Sequence, residues 1–168
     1  MKALSLLCLF SVIIFASGCN AYSTALQQNI DSIVVLKSER RLQVYNNGHL
    51  LKTYKIALGE HPIGHKQYEG DRKTPEGLYF INDKNPNSTC HKNLGISYPN
   101  DTDRAAAQKL GKHPGGDIKI HGLPNGQGYI GRMHSMKDWT YGCIAVTDEE
   151  VDELYSHTAV GTPINILP

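Results

Sequence analysis

The hydrophobic positions of this chain follow two different patterns. Residues 3–16 form an almost unbroken apolar run, whereas the rest of the chain alternates short apolar stretches with segments rich in Gly, Pro and polar residues. Stretches in which every second position is apolar, or in which β-branched residues dominate, are typical of strands. These stretches predict strands at 32–37, 41–45, 49–58, 78–81, 117–121, 143–146 and 163–167.

Turn and loop signals separate the predicted strands. Asn46, Asn47 and Gly48 favour a tight hairpin turn, because Asn and Gly adopt positive φ at low cost. The segment 59–77 has four Gly and two Pro among its 19 residues, which predicts a long ordered loop or lid of the kind that often carries function. The segment 82–100 is also predicted to be rich in loops.

Two short helices complete the predicted elements. Thr147 and Glu150 have the spacing of a capping box at the start of a helix over 147–155. A second helix is predicted over 103–110, where Gly111 ends it. Because strands dominate, the predicted fold class is mainly β, a single domain with a few short helices.

The apolar run at the amino terminus is predicted to be an export signal. It follows the basic residue Lys2 and is shorter than the roughly 20 residues that a transmembrane helix needs. The small residues 16–18 stand directly before Cys19, and this arrangement resembles the lipobox of bacterial lipoproteins, in which the cysteine is lipidated. An ordinary cleaved signal and an uncleaved anchor helix are the alternatives. All three predict export to the periplasm or cell envelope, with membrane anchoring through Cys19 in the lipoprotein case.

The chain is therefore divided into a signal peptide at 1–18, a tether at 19–30 and one domain at 31–168. Lys and Arg number 17 and Asp and Glu 16, so removing the signal, and Lys2 with it, leaves no net charge. A nucleic-acid partner is not expected, since it usually requires a clearly basic face. The neutral balance suits a substrate that carries both amines and carboxylates.

The four cysteines differ in their predicted roles. Cys8 leaves with the signal and Cys19 is the candidate lipidation site, so Cys90 and Cys143 remain in the domain. Exported proteins commonly pair such cysteines, and a bond between these two would keep the domain inactive until it is reduced. The alternative is that one of them stays a thiol and acts as a nucleophile. Their spacing leaves both interpretations open.

Two segments carry the candidate chemistry, Ile-His-Gly at 120–122 and Thr-Tyr-Gly-Cys-Ile at 140–144. His121 is predicted to end a strand, where the sheet holds its side chain beside a loop. An imidazole near a cysteine stabilises the nucleophilic thiolate. The backbone N–H groups of Gly142 and Cys143 could face the oxyanion of a tetrahedral intermediate. A buried structural Cys and a satisfied His explain the same residues equally well.

These segments, taken in order, resemble the YkuD-type L,D-transpeptidase domain of bacterial cell-wall enzymes. The resemblance extends over roughly residues 31 to 168 through IVVLKSERRLQVYNNGHLLKTYKIALG, EGDRKTPEGLYFI and LGISYPND. It implies a YkuD-like mixed β-sheet or sandwich. It also implies that Cys143 attacks a peptide carbonyl to form a thioester, that His121 is its base, and that the Gly122 carbonyl orients His121.

The resemblance implies an exported enzyme that modifies peptidoglycan. Its cysteine would form a thioester with a stem peptide and transfer it to an amine, in cell-wall cross-linking or in attachment of an envelope lipoprotein. No cofactor and no metal are needed for this chemistry. A cysteine peptidase of the same fold, which hydrolyses peptidoglycan–peptide or peptidoglycan–lipoprotein links, is the alternative. A non-catalytic envelope-binding module is a third reading, which the presence of both His121 and Cys143 opposes.

The chain also departs from the common members of the family. Tyr141 and Ala145 stand where these members have basic residues, and 124–136 forms an extra loop, as in a subgroup with a D-W-T-x-G-C-I-A-V-T motif. The residues just before the cysteine are candidates for substrate binding, although a loop histidine or a single tryptophan is often only structural. They are His134, Trp139, Thr140 and Tyr141. In the lid, Arg72 and Lys73 are candidates to meet a carboxylate or simply solvated charges.

A zinc site is a further alternative on spacing alone. His113, Asp117 and His121 are four residues apart, with His134 or Cys143 to complete the set. This spacing brings ligands together only on a helix, and Pro-Gly-Gly at 114–116 prevents a helix there. A metal site is therefore not predicted.

Overall fold

A computed structural model describes residues 25–168 of the chain. The signal peptide, Cys19 and the first part of the predicted tether lie outside the described residues. The strands are β1 Ser32–Leu36, β2 Arg41–Asn46, β3 His49–Lys55, β4 Gly77–Ser88, β5 His91–Ile96, β6 Lys119–His121, β7 Ile144–Ala145 and β8 Pro163–Leu167. The helices are α1 Asp101–Lys109, α2 Asp148–His157 and a 3-10 segment at Gly128–Met136.

The strands form one mixed sheet in the order β3-β2-β1-β8-β4-β5-β6-β7. The carboxyl-terminal strand β8 lies in the middle, parallel to β1 and antiparallel to β4. At one edge the short strands β6 and β7 run parallel. The predicted mainly β class, a mixed sheet with a few short helices, is thus confirmed.

Local sequence signals explain several of these elements. Asn47 and Gly48 form the turn between β2 and β3 with φ of 49° and 76°, the left-handed conformation that the hairpin requires. Helix α2 begins at the predicted capping box, in which the Thr147 side chain accepts from the Glu150 N–H and the Glu150 side chain accepts from the Thr147 N–H. Asn100 caps α1 in the same way with Asp103.

The prediction of loops over 82–100 was wrong. Strand β4 continues to Ser88, and β5 returns beside it with irregular register. The sequence gives no alternation here because the extended part of β4 is polar. The ammonium of Lys84, for example, donates to the carbonyls of Tyr155 and Thr158 at the end of α2. The 124–136 segment, predicted as a loop, contains the 3-10 segment, which is interrupted at Gly131.

The core lies between the sheet and α2. Val151 and Leu154 of α2 are fully buried against the apolar sides of the strands. Leu26 and Ile30, at the end of the predicted tether, are buried in the same core, and Ile30 forms a bridge with Thr158. No helix within residues 25–168 is long and apolar enough to span a membrane.

Candidate active site

The pairing of β6 and β7 brings the two candidate catalytic residues onto neighbouring strands. Ile120 lies opposite Ile144, and His121 lies opposite Ala145. Cys143 directly precedes β7 and lies beside Lys119 at the start of β6, two residues before His121 on the same strand. The two segments singled out in the sequence therefore meet at this edge of the sheet.

His121 is held in one orientation. Its side chain is buried, with 7% of the residue exposed, and its Nδ1 lies 2.7 Å from the carbonyl oxygen of Gly122. Because a carbonyl only accepts, this contact assigns the proton to Nδ1 and leaves Nε2 as the basic atom. The Trp139 ring packs on the imidazole in an edge-to-face arrangement, with the ring centroids 5.8 Å apart. The hydrogen bond from Nδ1 to the Gly122 carbonyl is the contact through which Gly122 would orient His121, as the family resemblance implies.

Both titratable groups are neutral at rest. Burial lowers the pKa of His121 despite the opposing effect of the Gly122 carbonyl. Burial also raises the pKa of the Cys143 thiol to about 11, although the backbone N–H of Lys119 favours the thiolate. The Cys143 sulfur lies 3.6 Å from the Asp117 carbonyl oxygen, to which the thiol donates. The resting site thus holds a thiol and a neutral imidazole instead of an ion pair.

The turn before Cys143 is closed by Thr140. Its hydroxyl donates to the Cys143 carbonyl at 2.8 Å and accepts from the Gly142 N–H at 3.1 Å. The Gly142 N–H is therefore occupied and does not point to an oxyanion, which corrects that expectation and leaves the N–H of Cys143 as the candidate donor. Thr140 is buried and shapes the turn through these two hydrogen bonds.

The lid packs directly on this turn. A Cβ at Gly142, whose φ is 127°, would lie 2.7 Å from the Lys73 carbonyl oxygen. A Cβ at Gly59 would lie 2.2 Å from the Arg72 carbonyl oxygen and 3.0 Å from the Gly142 Cα. Only glycine fits at such approaches, so the lid residues Arg72 and Lys73 form a wall of the site beside Cys143.

Comparison with known proteins agrees with this geometry. The family model of the L,D-transpeptidase catalytic domain matches residues 30–166. The chain belongs to this family. The match spans the whole sheet and both segments that hold His121 and Cys143.

Relatives in the family share the domain but are longer. The chain is 33% identical to the Escherichia coli protein YafK over 129 residues, which cover 73% of this chain and 45% of YafK. The solved structure of the helical cell shape determining protein Pgp2 from Campylobacter jejuni matches with a TM-score of 0.60 at 28% identity, over 83% of this chain and 48% of that chain. An L,D-transpeptidase from Mycobacterium smegmatis, at 14% identity, shares the fold with a TM-score of 0.55, over 81% of this chain and 58% of that chain. The chain thus spans about half the length of these relatives.

The segment 124–136, which was predicted to be an extra loop, borders a small apolar cavity next to His121. The cavity has a volume of about 250 Å³ and is bordered by Trp139, by His134 and by apolar residues of the loop. His134 is buried, and its Nδ1 has no hydrogen-bond partner among the described residues. Burial lowers the pKa of His134, and His121 lowers it further when His121 is protonated. His134 and Trp139 thus lie beside the site, whereas Tyr141 is exposed at its rim, with 74% of the residue accessible.

The other candidate residues lie apart from one another. His113 pairs with Glu69 at the surface and Asp117 pairs with Lys119. Within residues 25–168, no group of three His, Cys, Asp or Glu side chains is close enough to hold a metal ion. Cys90 and Cys143 are both free thiols.

The sequence analysis missed two kinds of residue: those whose backbone groups contact Cys143, and Asp138, whose side chain holds neighbouring segments together. The Asp117 carbonyl and the Lys119 N–H face the sulfur of Cys143, and a sequence carries no signal for such contacts. Asp138 accepts from the Leu58 N–H at 2.9 Å and pairs with Arg40 at 2.8 Å. It ties the irregular segment before Trp139 to Leu58 and Arg40, and its place in the D-W-T motif was the available signal.

Proposed function

We propose that this domain is a cysteine acyltransferase with L,D-transpeptidase activity. Cys143 attacks the carbonyl of a peptide bond between an L-centre and a D-centre in a stem peptide, after diaminopimelate or an equivalent third residue. The acyl group of the resulting thioester is then transferred to an amine, which releases the Cys143 thiol. The observation that carries the proposal is the β6–β7 pairing, which brings the segments of Cys143 and His121 onto adjacent strands, with Nε2 left as the basic nitrogen of the buried His121.

Because His121 and the Cys143 thiol are both neutral at rest, the first step must include a proton transfer between them. His121 Nε2 takes the thiol proton as the sulfur attacks, so the thiolate never accumulates in the free enzyme. The same imidazole, now protonated, gives this proton to the leaving amine when the carbon–nitrogen bond breaks. The Gly122 carbonyl stays bonded to Nδ1–H throughout and stabilises the imidazolium, while the Cys143 N–H is the proposed oxyanion donor.

Family membership and the relatives support peptidoglycan as the substrate. A stem peptide is a chain of amino acids with free carboxylates and an amine, and Pgp2, which shares the fold, is a cell shape determining protein. The acceptor amine belongs to a second stem peptide in a cross-link or to an envelope lipoprotein in an attachment. Action on peptidoglycan requires export. The apolar run at the amino terminus is the proposed export signal, and Cys19 is the proposed site of the lipid anchor.

The proposal is tested with purified protein and muropeptides. We expect the wild-type protein to convert tetrapeptide muropeptides into cross-linked products that mass spectrometry detects. Cys143→Ala lacks the nucleophile, so it is expected to leave the muropeptides unchanged, while Cys90→Ala removes the other thiol of the domain and is expected to stay active. A thioester adduct of one stem peptide on Cys143 is the expected intermediate.

Other outcomes separate the alternatives. Shortened stems without cross-links would show that water accepts the acyl group and that the domain is a peptidase. Unchanged muropeptides with the wild-type protein would contradict an enzymatic function. Products that persist in Cys143→Ala would show that another residue is the nucleophile.

A further inference from the structure

A cavity of about 410 Å³ opens between the lid and the loop that leads to β6. It is lined by Arg72 and Tyr141, by Lys66 and Glu69 of the lid, and by the glycines of the second loop, Gly115 and Gly116 among them. The glycines leave backbone instead of side chains on that wall. This cavity is distinct from the small apolar one beside His134.

The cavity is next to the nucleophile on two sides. Gly116 leads directly into Asp117, whose carbonyl oxygen lies 3.6 Å from the Cys143 sulfur. On the other side, Tyr141 stands two residues before Cys143 in the turn that Thr140 closes. Two residues that line the cavity, Gly116 and Tyr141, thus adjoin in sequence the residues that surround the Cys143 sulfur.

Arg72 is fixed at the mouth of this cavity. Its guanidinium lies over the Tyr141 ring, 4.9 Å from the centroid, and pairs with Glu60. Its backbone has a φ of 57°, an uncommon conformation for a residue with a side chain. The His61 N–H donates to its carbonyl at 3.2 Å, so hydrogen bonding holds this backbone in place.

The neighbouring residue secures the same stretch of the lid. Asp71 is buried and its carboxylate accepts from Lys66 Nζ and from the backbone N–H groups of Gln67, Tyr68 and Lys73. These bonds fix the residues on both sides of Arg72. They also occupy Lys66, the other cation of the cavity, so its ammonium is not offered to a ligand.

The guanidinium keeps hydrogen-bonding capacity for a ligand. Arg72 reaches Glu60 through Nη1, and a guanidinium has further N–H groups arranged as a planar fork that matches a carboxylate. Stacking on Tyr141 orients this fork without consuming its donors.

We propose that Arg72, held over Tyr141, binds a carboxylate of the stem peptide next to the bond that Cys143 attacks. The carboxylate is either that of the third-residue side chain or the one at the peptide terminus. This inference rests on the proposed function. It makes Arg72 and Tyr141 the residues that select a negatively charged donor peptide.

The test compares three synthetic stem peptides in the full protein. One has every carboxylate free, one has the third-residue side-chain carboxyl amidated, and one has the terminal carboxyl amidated. We expect the wild-type kcat/KM to fall about 10- to 100-fold for one of the amidated peptides, the loss that follows from a charge-assisted hydrogen bond. Arg72→Gln is expected to lower kcat/KM of the free peptide by a similar factor, through KM, and to abolish the discrimination between peptides.

Further variants separate binding from a structural effect. Arg72→Lys is expected to restore only part of the discrimination, because an ammonium lacks the planar fork. Tyr141→Ala removes the ring under the guanidinium and is expected to raise KM, and Tyr141→Phe, which restores a ring there, is expected to recover most of that loss. Glu60→Gln removes a competing carboxylate and is expected to lower KM.

Results that contradict the carboxylate site differ from results that contradict the proposed function. Equal losses on all three peptides in Arg72→Gln, or no discrimination by an active wild-type protein, would overturn the carboxylate site. A wild-type protein inactive on every peptide would instead contradict the proposed activity. Thermal unfolding of each variant shows whether Arg72→Gln is folded, and an unchanged kcat with a raised KM then assigns the loss to binding.

Discussion

Cys143 differs from a cysteine that is kept as a thiolate. Its sulfur is partly buried, faces the Asp117 carbonyl and has a pKa raised to about 11. His121 is buried and neutral, with its pKa lowered. The thiol is therefore expected to react slowly with oxidants and alkylating agents at neutral pH, because these reagents attack the thiolate. The resting site does not hold the thiolate that a neighbouring imidazole was expected to stabilise.

The resting thiol can be tested by alkylation. At a pKa of about 11, only about one Cys143 thiol in 10,000 is ionised at pH 7. We expect iodoacetamide to modify Cys143 slowly at neutral pH and about tenfold faster for each pH step up to pH 10. Peptide-resolved mass spectrometry on Cys90→Ala measures this rate. A rate that levels off below pH 8 would contradict the buried neutral thiol.

At the scale of elements, the lid is a rigid wall although it has no regular secondary structure. Its first part and its last residues are tied to the sheet by Lys37, a buried residue after β1, whose ammonium donates to the carbonyls of Gly64 and Thr74 and to Glu76. Asp71 holds the tip through Lys66 and backbone N–H groups. Loops ordered in this way keep wall residues in place for a substrate.

Asp71→Asn is expected to destabilise this element. Removing the charge leaves the Lys66 ammonium buried without its counter-ion, a change that costs about 3 kcal/mol in the free energy of unfolding. Because the hydrogen bonds from Lys66 and from the backbone lower the pKa of Asp71 against the opposing effect of burial, its contribution is present above the unfolded pKa and lost as the pH falls through the folded one.

Urea denaturation at neutral and acidic pH measures the effect. The difference between wild type and Asp71→Asn should shrink in acid. Glu39→Gln, at an exposed surface pair, serves as the control and should change the stability by less than about 0.5 kcal/mol. An equal loss in both variants, or a difference that grows in acid, would oppose the role assigned to Asp71.

At the scale of the molecule, the sheet joins the two ends of the described chain. Strand β8 pairs with β1 and β4, so the last residues lie between strands formed early and midway along the sequence. Helix α2 packs on the strands that carry the site and buries Val151 and Leu154 in one core. Because they share this core, the edge strands β6 and β7 and the central strands are expected to unfold together.

Leu154→Ala tests this shared core. Deleting a fully buried leucine is expected to cost about 3 kcal/mol, with a single transition followed by both tryptophan fluorescence and circular dichroism. Leu110→Ala, at an exposed position after α1, should be near neutral. Two separate transitions for the two signals would show that the site edge unfolds independently.

Much of the fold follows from local patterns. Alternation and β-branched residues located β1, β2 and β8, and the capping box located α2, because these signals depend on neighbouring residues. The polar half of β4 and the strand β5 lacked such signals, since their stability comes from pairing with each other and with α2. Strand β7 is only two residues long, and its place beside β6 is decided by tertiary pairing.

The sequence by itself determined the mainly β class, the hairpin turn, the helix caps and the family motif that contains His121 and Cys143, because these are written in residue types at short spacing. Only the tertiary structure decided that the Gly142 N–H is taken by Thr140 and that Arg72 lies over Tyr141. It also decided that burial makes the thiol neutral. These properties depend on desolvation and on contacts between distant segments, which no local pattern encodes.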